Sequence, residues 1–570
     1  MIRRPIMRRA VPVVSLPETL DPVLRRVYAA RGVSAERELL LGLEKMLPVS
    51  SLDGVEVAAE LIAAHMARGD RILVIGDYDA DGATASALVV RALRRFGHRE
   101  VGFLVPDRFK FGYGLTPEIV ALAAERQPRL IITVDNGVSS LEGVAAARAA
   151  GIEVLVTDHH LPGPLLPDAT AIVNPNLVGA RFGSRALAGV GVAFYVLLAL
   201  GRKLGRPAAQ TAELLDLVAL GTVADVVPLD HNNRVLVRAG LERIRAGRCV
   251  PGIAALAEVA GRTLAATGTT DLGFFIGPRL NAAGRLEDMS IGIECLLTDD
   301  PAVARRLAEQ LDGLNRERRV IEAKMQSEAL AIVERLHIGI AGVEMPFALS
   351  LYDPAWHPGV VGLVAARVKE QVHRPVIAFA PAEGGLARGS ARSVPGIHIR
   401  DALEAVATRS PGLIDKFGGH AMAAGLTLSA SRLREFGEAF AAEVGRRAEP
   451  GLLDGRLYTD GELQSESLTL ETANRLRAAG PFGSGFAEPC FDGEFTILEA
   501  RVLKERHLKL WVSARPRTPP LEALAFGWMV RPGAEVPVRD GRWRLVYRLD
   551  VNEFQGLSRA QLLVEYLEPV

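Results

Sequence analysis

The chain reads as a multidomain α/β protein, and three observations carry that reading. Short strand-like runs at 72–75 (ILVI), 130–134 (LIITV) and 152–156 (IEVLV) are each followed by a helical pattern, the alternation of a parallel sheet wrapped by helices. Residues 302–337 hold charged and apolar side chains at helical spacing with no proline, as a helix bridging domains would. Beyond 456 the pattern turns to β, with HLKLWVS, LEALAFGW and RWRLVYRLD set between turn residues, which predicts a small barrel. At 570 residues the chain is too long for one core. The expected organisation is an N-terminal segment 1–48, a parallel-sheet domain 49–300, a long connecting helix 301–338, a second α/β domain 339–455 and the β-barrel 456–570.

Composition narrows the function classes. With 49% hydrophobic and 24% charged residues the chain is that of a folded globular protein. No apolar run approaches the ~18 residues of a membrane span, and the opening MIRRPIMRRAVP lacks the apolar region of a secretory signal, so a cytoplasmic location is expected. Cys249, Cys295 and Cys490 stand alone with no C-x-x-C, which argues against a disulfide framework and a thiolate-bound zinc. Lys+Arg and Asp+Glu both total 67, so a polyanion would have to be met by a local basic surface.

The first strand runs into IGDYDADGA, three aspartates in five positions closed by Gly82. An EF-hand loop counted from Asp77 would need an acid at its twelfth position, which is Leu88, and a preceding helix, where this sequence has Ile72–Ile75. The remaining readings are a solvated acidic turn or a metal site of another kind. The other strands decide between them: 130–134 runs into Asp135-Asn136-Gly137 and 152–156 into Thr157-Asp158-His159-His160. In a doubly wound sheet such tips converge outside the carboxyl ends of the strands. A fourth element, LLDLVALGTVADVVPLD, reads as an apolar helix that breaks at Gly221 and delivers Asp225. Acids gathered this closely need cations, and carboxylates with imidazole and no thiolate suit Mn²⁺ or Mg²⁺. The ligand count is enough for two ions sharing a carboxylate, the arrangement used for in-line displacement at phosphorus.

The series DYDADG, VDNG, TDHH and GTVADVVPL, in this order, resembles the four motifs of the DHH phosphoesterase superfamily. Chain length and the later motifs resemble its RecJ-type branch of single-strand-specific exonucleases, from about residue 45 to the end. The resemblance implies that Asp79, Asp81, Asp135, His159 and Asp225 ligate two ions with Asp135 bridging. It leaves Asp77 to fill a ligand place where many relatives outside the branch carry a histidine at the position of Ile75. It further implies that Asp158 holds an imidazole in orientation and that His160 faces the scissile phosphate, with Arg279 and His420 stabilising the charge that builds there. The implied activity is 5′-to-3′ degradation of single-stranded DNA to 5′-mononucleotides, in repair and recombination. Implied partners are a single-strand-binding protein and a helicase, with the enzyme itself a monomer.

By the same resemblance the second α/β segment is a DHHA1 domain and the C-terminal barrel an OB-like one. GPRLNAAGRLED supplies Arg279, Asn281 and Arg285, and KFGGHAMAAGL supplies Gly418, Gly419 and His420. In RGSARSVPG, Arg388, Ser390 and Arg392 would hold phosphates near the 5′ end of the strand. Read without the family, an Arg-Gly loop is also an ordinary surface turn. In DRFKFGYGL, Arg108, Lys110, Phe111 and Tyr113 suit either a base-stacking platform or plain packing. His357 precedes an apolar helix and reads as a helix-entry or core-edge residue. Arg542, Arg544 and Arg548 alternate with Trp543, Leu545, Tyr547 and Leu549, giving either a basic face that tracks a phosphate backbone or a solvated one. In PFGSGFAEPCF, Phe486 occupies a position where the resemblance leads one to expect a polar residue. Two other functions stay open at this point: a phosphatase or small-nucleotide phosphodiesterase on the same core, and a non-catalytic replication scaffold. The second would have eroded ligands, whereas all four motifs are intact.

Overall fold

The computed structural model describes residues 4–106, 114–338, 345–419, 421–504, 507–515, 519–528, 541–554 and 557–570. Five strands, β1 (Ile72–Ile75), β2 (Val101–Leu104), β3 (Leu130–Val134), β4 (Glu153–Thr157) and β5 (Ala171–Val173), form one parallel sheet in the order β2-β1-β3-β4-β5. Every residue of β1 and β3 is buried, because helices cover both faces. The order of the chain reverses between β1 and β3, so the carboxyl ends of these two strands flank the crevice where such sheets take ligands. The third expected strand is displaced by one residue, to Glu153–Thr157. β2 and β5 are edge strands of four and three residues, too short to mark themselves in the pattern.

Helices α1 (Ala80–Arg95), α2 (Gly189–Lys203), α3 (Leu215–Ala224) and α4 (His231–Arg245) pack on this sheet and on one another. The expected break at Gly221 is corrected: α3 runs through it to Ala224. The glycine serves close approach, since a Cβ there would lie 2.8 Å from Val190 and 2.9 Å from the Asp81 carboxylate.

After α5 (Gly277–Leu286), the connecting helix α6 spans Pro301–Ile338. Its 38 residues span about 57 Å at 1.5 Å each. Ala304, Ala308 and Leu311 join the core of the first domain, whereas Met325 and Ala329 join that of the second. The second sheet is mixed, β9-β10-β8-β7-β6, built from β6 (Leu349–Tyr352), β7 (Val376–Ala382), β8 (Leu386–Arg392), β9 (Lys416–Gly419) and β10 (Ala423–Ser429). Helix α7 (Val361–Val372) covers one of its faces. Among the described residues no helix is long and apolar enough to cross a membrane.

Beyond 456, strands β11 (Phe491–Leu503), β12 (His507–Ser513), β13 (Leu521–Ala525), β14 (Gly541–Phe554) and β15 (Leu557–Pro569) close into a barrel. The N-terminal segment belongs with it. Ile6–Arg8 pairs in parallel with Leu457–Thr459, Arg31 pairs with Asp460 at 2.9 Å, and Arg8 with Asp492 at 2.8 Å. One continuous apolar core runs from the first sheet into the barrel through Leu229, Phe482, Phe486 and Phe491, whereas the second α/β domain has cores of its own.

The barrel arginines, for which a basic and a solvated face were both open, carry carboxylate partners. Arg542 and Arg544 of β14 both reach Glu494 of β11, at 2.6 and 3.2 Å, and Arg548 pairs with Glu488 and with Glu565 at 3.0 Å. Strand register puts Glu494 directly opposite Arg544, so cross-strand carboxylates neutralise the arginines.

The Arg31–Asp460 pair is almost fully buried on both sides. Asp460→Ala should therefore leave an uncompensated charge and cost about 3–5 kcal/mol. Arg501→Ala, which removes an exposed pair with Glu499, should cost under about 1 kcal/mol. Urea midpoints of the two variants check this; equal shifts would mean that burial adds nothing to the Arg31–Asp460 pair.

Candidate metal centre

The turn after β1 carries Asp77 and Asp79, and Asp79 is the N-cap of α1: its Oδ1 accepts from the amides of Asp81 (2.9 Å) and Gly82 (3.1 Å). Asp81 sits in the first turn of α1, and its carboxylate accepts from Gly189 (2.6 Å) and Val190 (2.9 Å) at the start of α2. Two helix N-termini therefore favour negative charge at this point. β3 delivers Asp135 in a left-handed conformation, φ 61°, β4 delivers Asp158, His159 and His160, and the end of α3 delivers Asp225.

These groups converge. His159 Nε2 lies 3.0 Å from Asp135 Oδ1, 3.5 Å from Asp225 Oδ2 and 4.0 Å from Asp81 Oδ2. Three sets have ligand atoms within 4.8 Å of one another: Asp81, His159 and Asp225; Asp77, Asp79 and Asp135; and Asp135, His159 and His160. Asp135 and His159 each belong to two sets. Asp158 holds His160 rather than His159, with its Oδ1 2.7 Å from His160 Nδ1; it also accepts from the amides of His159, His160 and Val138.

The electrostatics are those of a site that needs cations. Burial, then Asp225 and Asp79 beside it, pushes the Asp81 carboxyl well above the usual range, and burial followed by Asp81 and Asp79 does the same to Asp135. Burial and Asp79 raise Asp225 to about 7. Burial works against the charged form of His160, but the bonded Asp158, with Asp225 and Asp77 nearby, outweighs it and lifts the imidazole to about 9. Protons or hard divalent cations can relieve such crowding. The donors are carboxylate oxygens and imidazole nitrogens, which fits Mn²⁺ or Mg²⁺.

Sequence reasoning passed over several supporting residues. Asn136 Nδ2 donates to the carbonyls of Ile75 and Val134 and so ties the tips of β1 and β3 together. Asn174 and Asn176 donate to the carbonyls of His160 (2.9 Å) and His159 (2.6 Å). The signal was present in NPN directly after β5, a strand too short to be noticed.

Other expected site residues have different placements. The Arg279 guanidinium is bonded to Asp312 of α6 (2.8 and 2.9 Å) and to the Phe275 carbonyl, contacts that brace α5 against the long helix. Asn281 Oδ1 accepts from the Ala80 amide at 2.7 Å and supports the start of α1 rather than presenting that oxygen to a substrate. Arg285, at the end of α5, reaches the Gly359 carbonyl across the domain junction (3.4 Å). His357 Nδ1 accepts from the Gly359 amide just ahead of α7, the helix-entry role.

Alternation along β8 puts Arg388, Ser390 and Arg392 on one face. Arg392 Nη1 donates to Ser390 Oγ (3.1 Å), and a Cβ on Gly362, in the first turn of α7, would lie 2.9 Å from both side chains. Among the described residues Arg392 donates to Ser390 and to the Ala391 carbonyl and forms no ion pair with a carboxylate, and burial lowers its pKa. Gly418 and Gly419 lie on the edge strand β9, with open space where a side chain on Gly418 would stand. Arg108, Lys110, Phe111, Tyr113 and His420 lie outside the described residues.

The raised Asp225 makes a signed prediction for the protein stripped of metal. Its folded value lies above its unfolded one of about 4, so the bound proton stabilises the fold fully below that pH, and this contribution is lost as pH rises through 7. Asp225→Asn, always neutral, should match the wild type near pH 4 and exceed it by on the order of 4 kcal/mol at pH 8. Urea denaturation in chelator at both pH values tests the sign; a less stable variant at pH 8 would contradict it.

Residues 71–222 match the DHH family N-terminal domain, 344–446 the DHHA1 domain and 459–566 the RecJ OB domain. The chain is 52% identical to single-stranded-DNA-specific exonuclease RecJ of Dickeya dadantii, covering 99% of both chains, and 50% identical to that of Escherichia coli, covering 97% of each. Among solved structures it is similar to RecJ of Thermus thermophilus in complex with Mn²⁺, at 32% identity and a TM-score of 0.79, over 96% of this chain and 76% of that one. The same protein in complex with Mg²⁺ matches at 30% identity and a TM-score of 0.73, over 96% and 75%. At half-identity from end to end, with three domains in the same order, the chain belongs to the RecJ family of single-stranded-DNA-specific exonucleases.

Proposed function

We propose that this protein degrades single-stranded DNA from the 5′ end, using two divalent ions, Mn²⁺ or Mg²⁺, and releasing 5′-mononucleotides. The observation that carries the reading is the convergence of three ligand-capable sets that share Asp135 and His159 at the strand tips. Asp81, His159 and Asp225 would hold one ion, Asp77 and Asp79 the other, with Asp135 between them. Ions held there would supply Lewis acidity to the phosphate oxygens and lower the pKa of water enough to make hydroxide, the nucleophile, available near neutral pH.

The chain's own residues do the rest. Asp158 fixes the ring of His160 through Nδ1 and favours its charged form, in which the other ring nitrogen would offer a charged donor to a phosphate oxygen as negative charge builds there. Capping by Asp79 and Asp81 holds two of the carboxylates before any ion arrives.

The direction of digestion rests on the pocket at the domain junction. A terminal phosphate carries nearly two charges, a phosphodiester one, and a buried guanidinium with Ser390 beside it favours the former. Arg285 closes the junction from the first domain. An end anchored there lies at a fixed distance from the metals, which gives one nucleotide per cut.

Asp135→Ala should reduce turnover by orders of magnitude while leaving the fold intact; near wild-type digestion by the purified variant would remove the two-ion reading. Arg392→Ala should weaken the preference for 5′-phosphorylated over 5′-hydroxyl strands about 10- to 100-fold, equivalent to ~1.5–3 kcal/mol for a charge-assisted contact. Labelling each end of an oligomer in turn decides the polarity, since mononucleotides released first from the 3′ label would reverse it.

A further inference from the structure

The loop 481–487 reaches from the C-terminal module back to the segment that carries Asp225. We propose that this loop is a positioning element of the metal centre: the Ser484 carbonyl, with Gly483 and Gly485 packed closely beside it, fixes the backbone of 226–229 and through it the Asp225 carboxylate. The inference rests on the reading of Asp225 as a metal ligand.

The segment is short and held at both ends. Asp225 closes α3, its amide donating to Gly221 (2.9 Å), and four residues later the Leu229 amide donates to the Ser484 carbonyl at 2.7 Å. Between them Val226 is left-handed, φ 64°, and 66% exposed. A β-branched residue keeps that conformation only where its surroundings impose it. Its own bond, to the Val223 carbonyl, is a long 3.3 Å. The restraint therefore comes from beyond it. Pro228 accepts from Asn233 Nδ2 (2.9 Å), whose amide group also donates to Ala186, and the barrel-side loop presses on Pro228 and Leu229.

That contact leaves no room for side chains on the loop. A Cβ on Gly483 would lie 2.8 Å from Leu229 Cδ1, and one on Gly485, at φ 68°, would lie 3.0 Å from Pro228 Cβ. The loop is itself stiff. Gly483 and Phe486 exchange backbone hydrogen bonds of 2.9 and 3.1 Å, Phe486 stacks on Phe482 at 5.7 Å, and Arg234 of α4 lies 4.1 Å over the Phe486 ring. Thr269 Oγ1 donates to the Phe482 carbonyl at 2.7 Å. An aromatic residue at 486 is thus an anchor in the shared core, not a group offered to a substrate. Released from Ser484, the 226–229 segment is free to relax, and the Asp225 oxygen now 3.5 Å from His159 Nε2 would lose its place.

The test titrates each DNA-free protein with Mn²⁺ and reads the free ion by its paramagnetic resonance signal. Gly485→Ala should weaken Mn²⁺ binding by roughly tenfold or more, as loss of support behind a ligand does, while circular dichroism stays that of the wild type. Saturating Mn²⁺ should largely restore turnover on a 5′-phosphorylated trinucleotide, splitting the metal requirement from kcat. Val512→Ala, which opens a cavity in the barrel core on β12, should bind Mn²⁺ as the wild type does. Wild-type affinity in Gly485→Ala, or equal weakening in Val512→Ala, would overturn the proposal. If Gly485→Ala is not recovered folded, Gly483→Ala, which meets the movable end of Leu229, takes its place under the same criteria. Asp225→Asn separates the two readings: unchanged Mn²⁺ binding there removes the ligand assignment itself, whereas weakened binding there with none in the loop variants removes only the positioning role.

Discussion

Five carboxylates from three places in the chain surround two adjacent histidines at the ends of buried strands, and the rest of the first domain is arranged to make that crowding tolerable. His159 Nε2 lies within 4.0 Å of oxygens from Asp81, Asp135 and Asp225. Such a cluster stands only if something positive shares it. The parallel sheet brings the tips together at the reversal of strand order, and the N-termini of α1 and α2 direct their amides at Asp79 and Asp81. Gly221 lets α3 come close enough to place Asp225.

The same constraint separates the roles of the paired histidines. His159 faces the acids, whereas His160 is turned by Asp158, whose carboxyl stays below its usual range despite burial because the bonded His160 side chain, and after it the backbone amides of His160 and Val138, favour its charge. Adjacent imidazoles in one motif thus differ in partner. One suits a cation shared with carboxylates, the other an anion arriving from solution.

What was legible in the sequence were the features whose information is local. β1 and β3, α6 to within a residue at each end, and the acids and histidines at the tips could all be read from runs and spacing. What escaped were partners set by register and tertiary approach. Nothing local tells that Glu494 lies across from Arg544, or that Asp312 pairs with Arg279. A glycine inside an apolar helix reads as a break when its purpose is contact with a neighbouring helix. Phe486 looks out of place in a polar loop until Arg234 and Phe482 are seen on either side of it. The N-terminal strap and the barrel, far apart in sequence, are joined through Arg8 and Arg31.

This account makes cations the replacement for protons that the metal-free cluster must otherwise retain. Calorimetric titration of Mn²⁺ into the stripped protein near pH 6.5, in two buffers of different ionisation enthalpy, measures that exchange directly. The account predicts net release of about one proton or more per chain as the ions bind, because Asp225 titrates near 7 and Asp81 and Asp135 are raised well above the usual range. Saturable binding with the same heat in both buffers, and so no proton released, would contradict it.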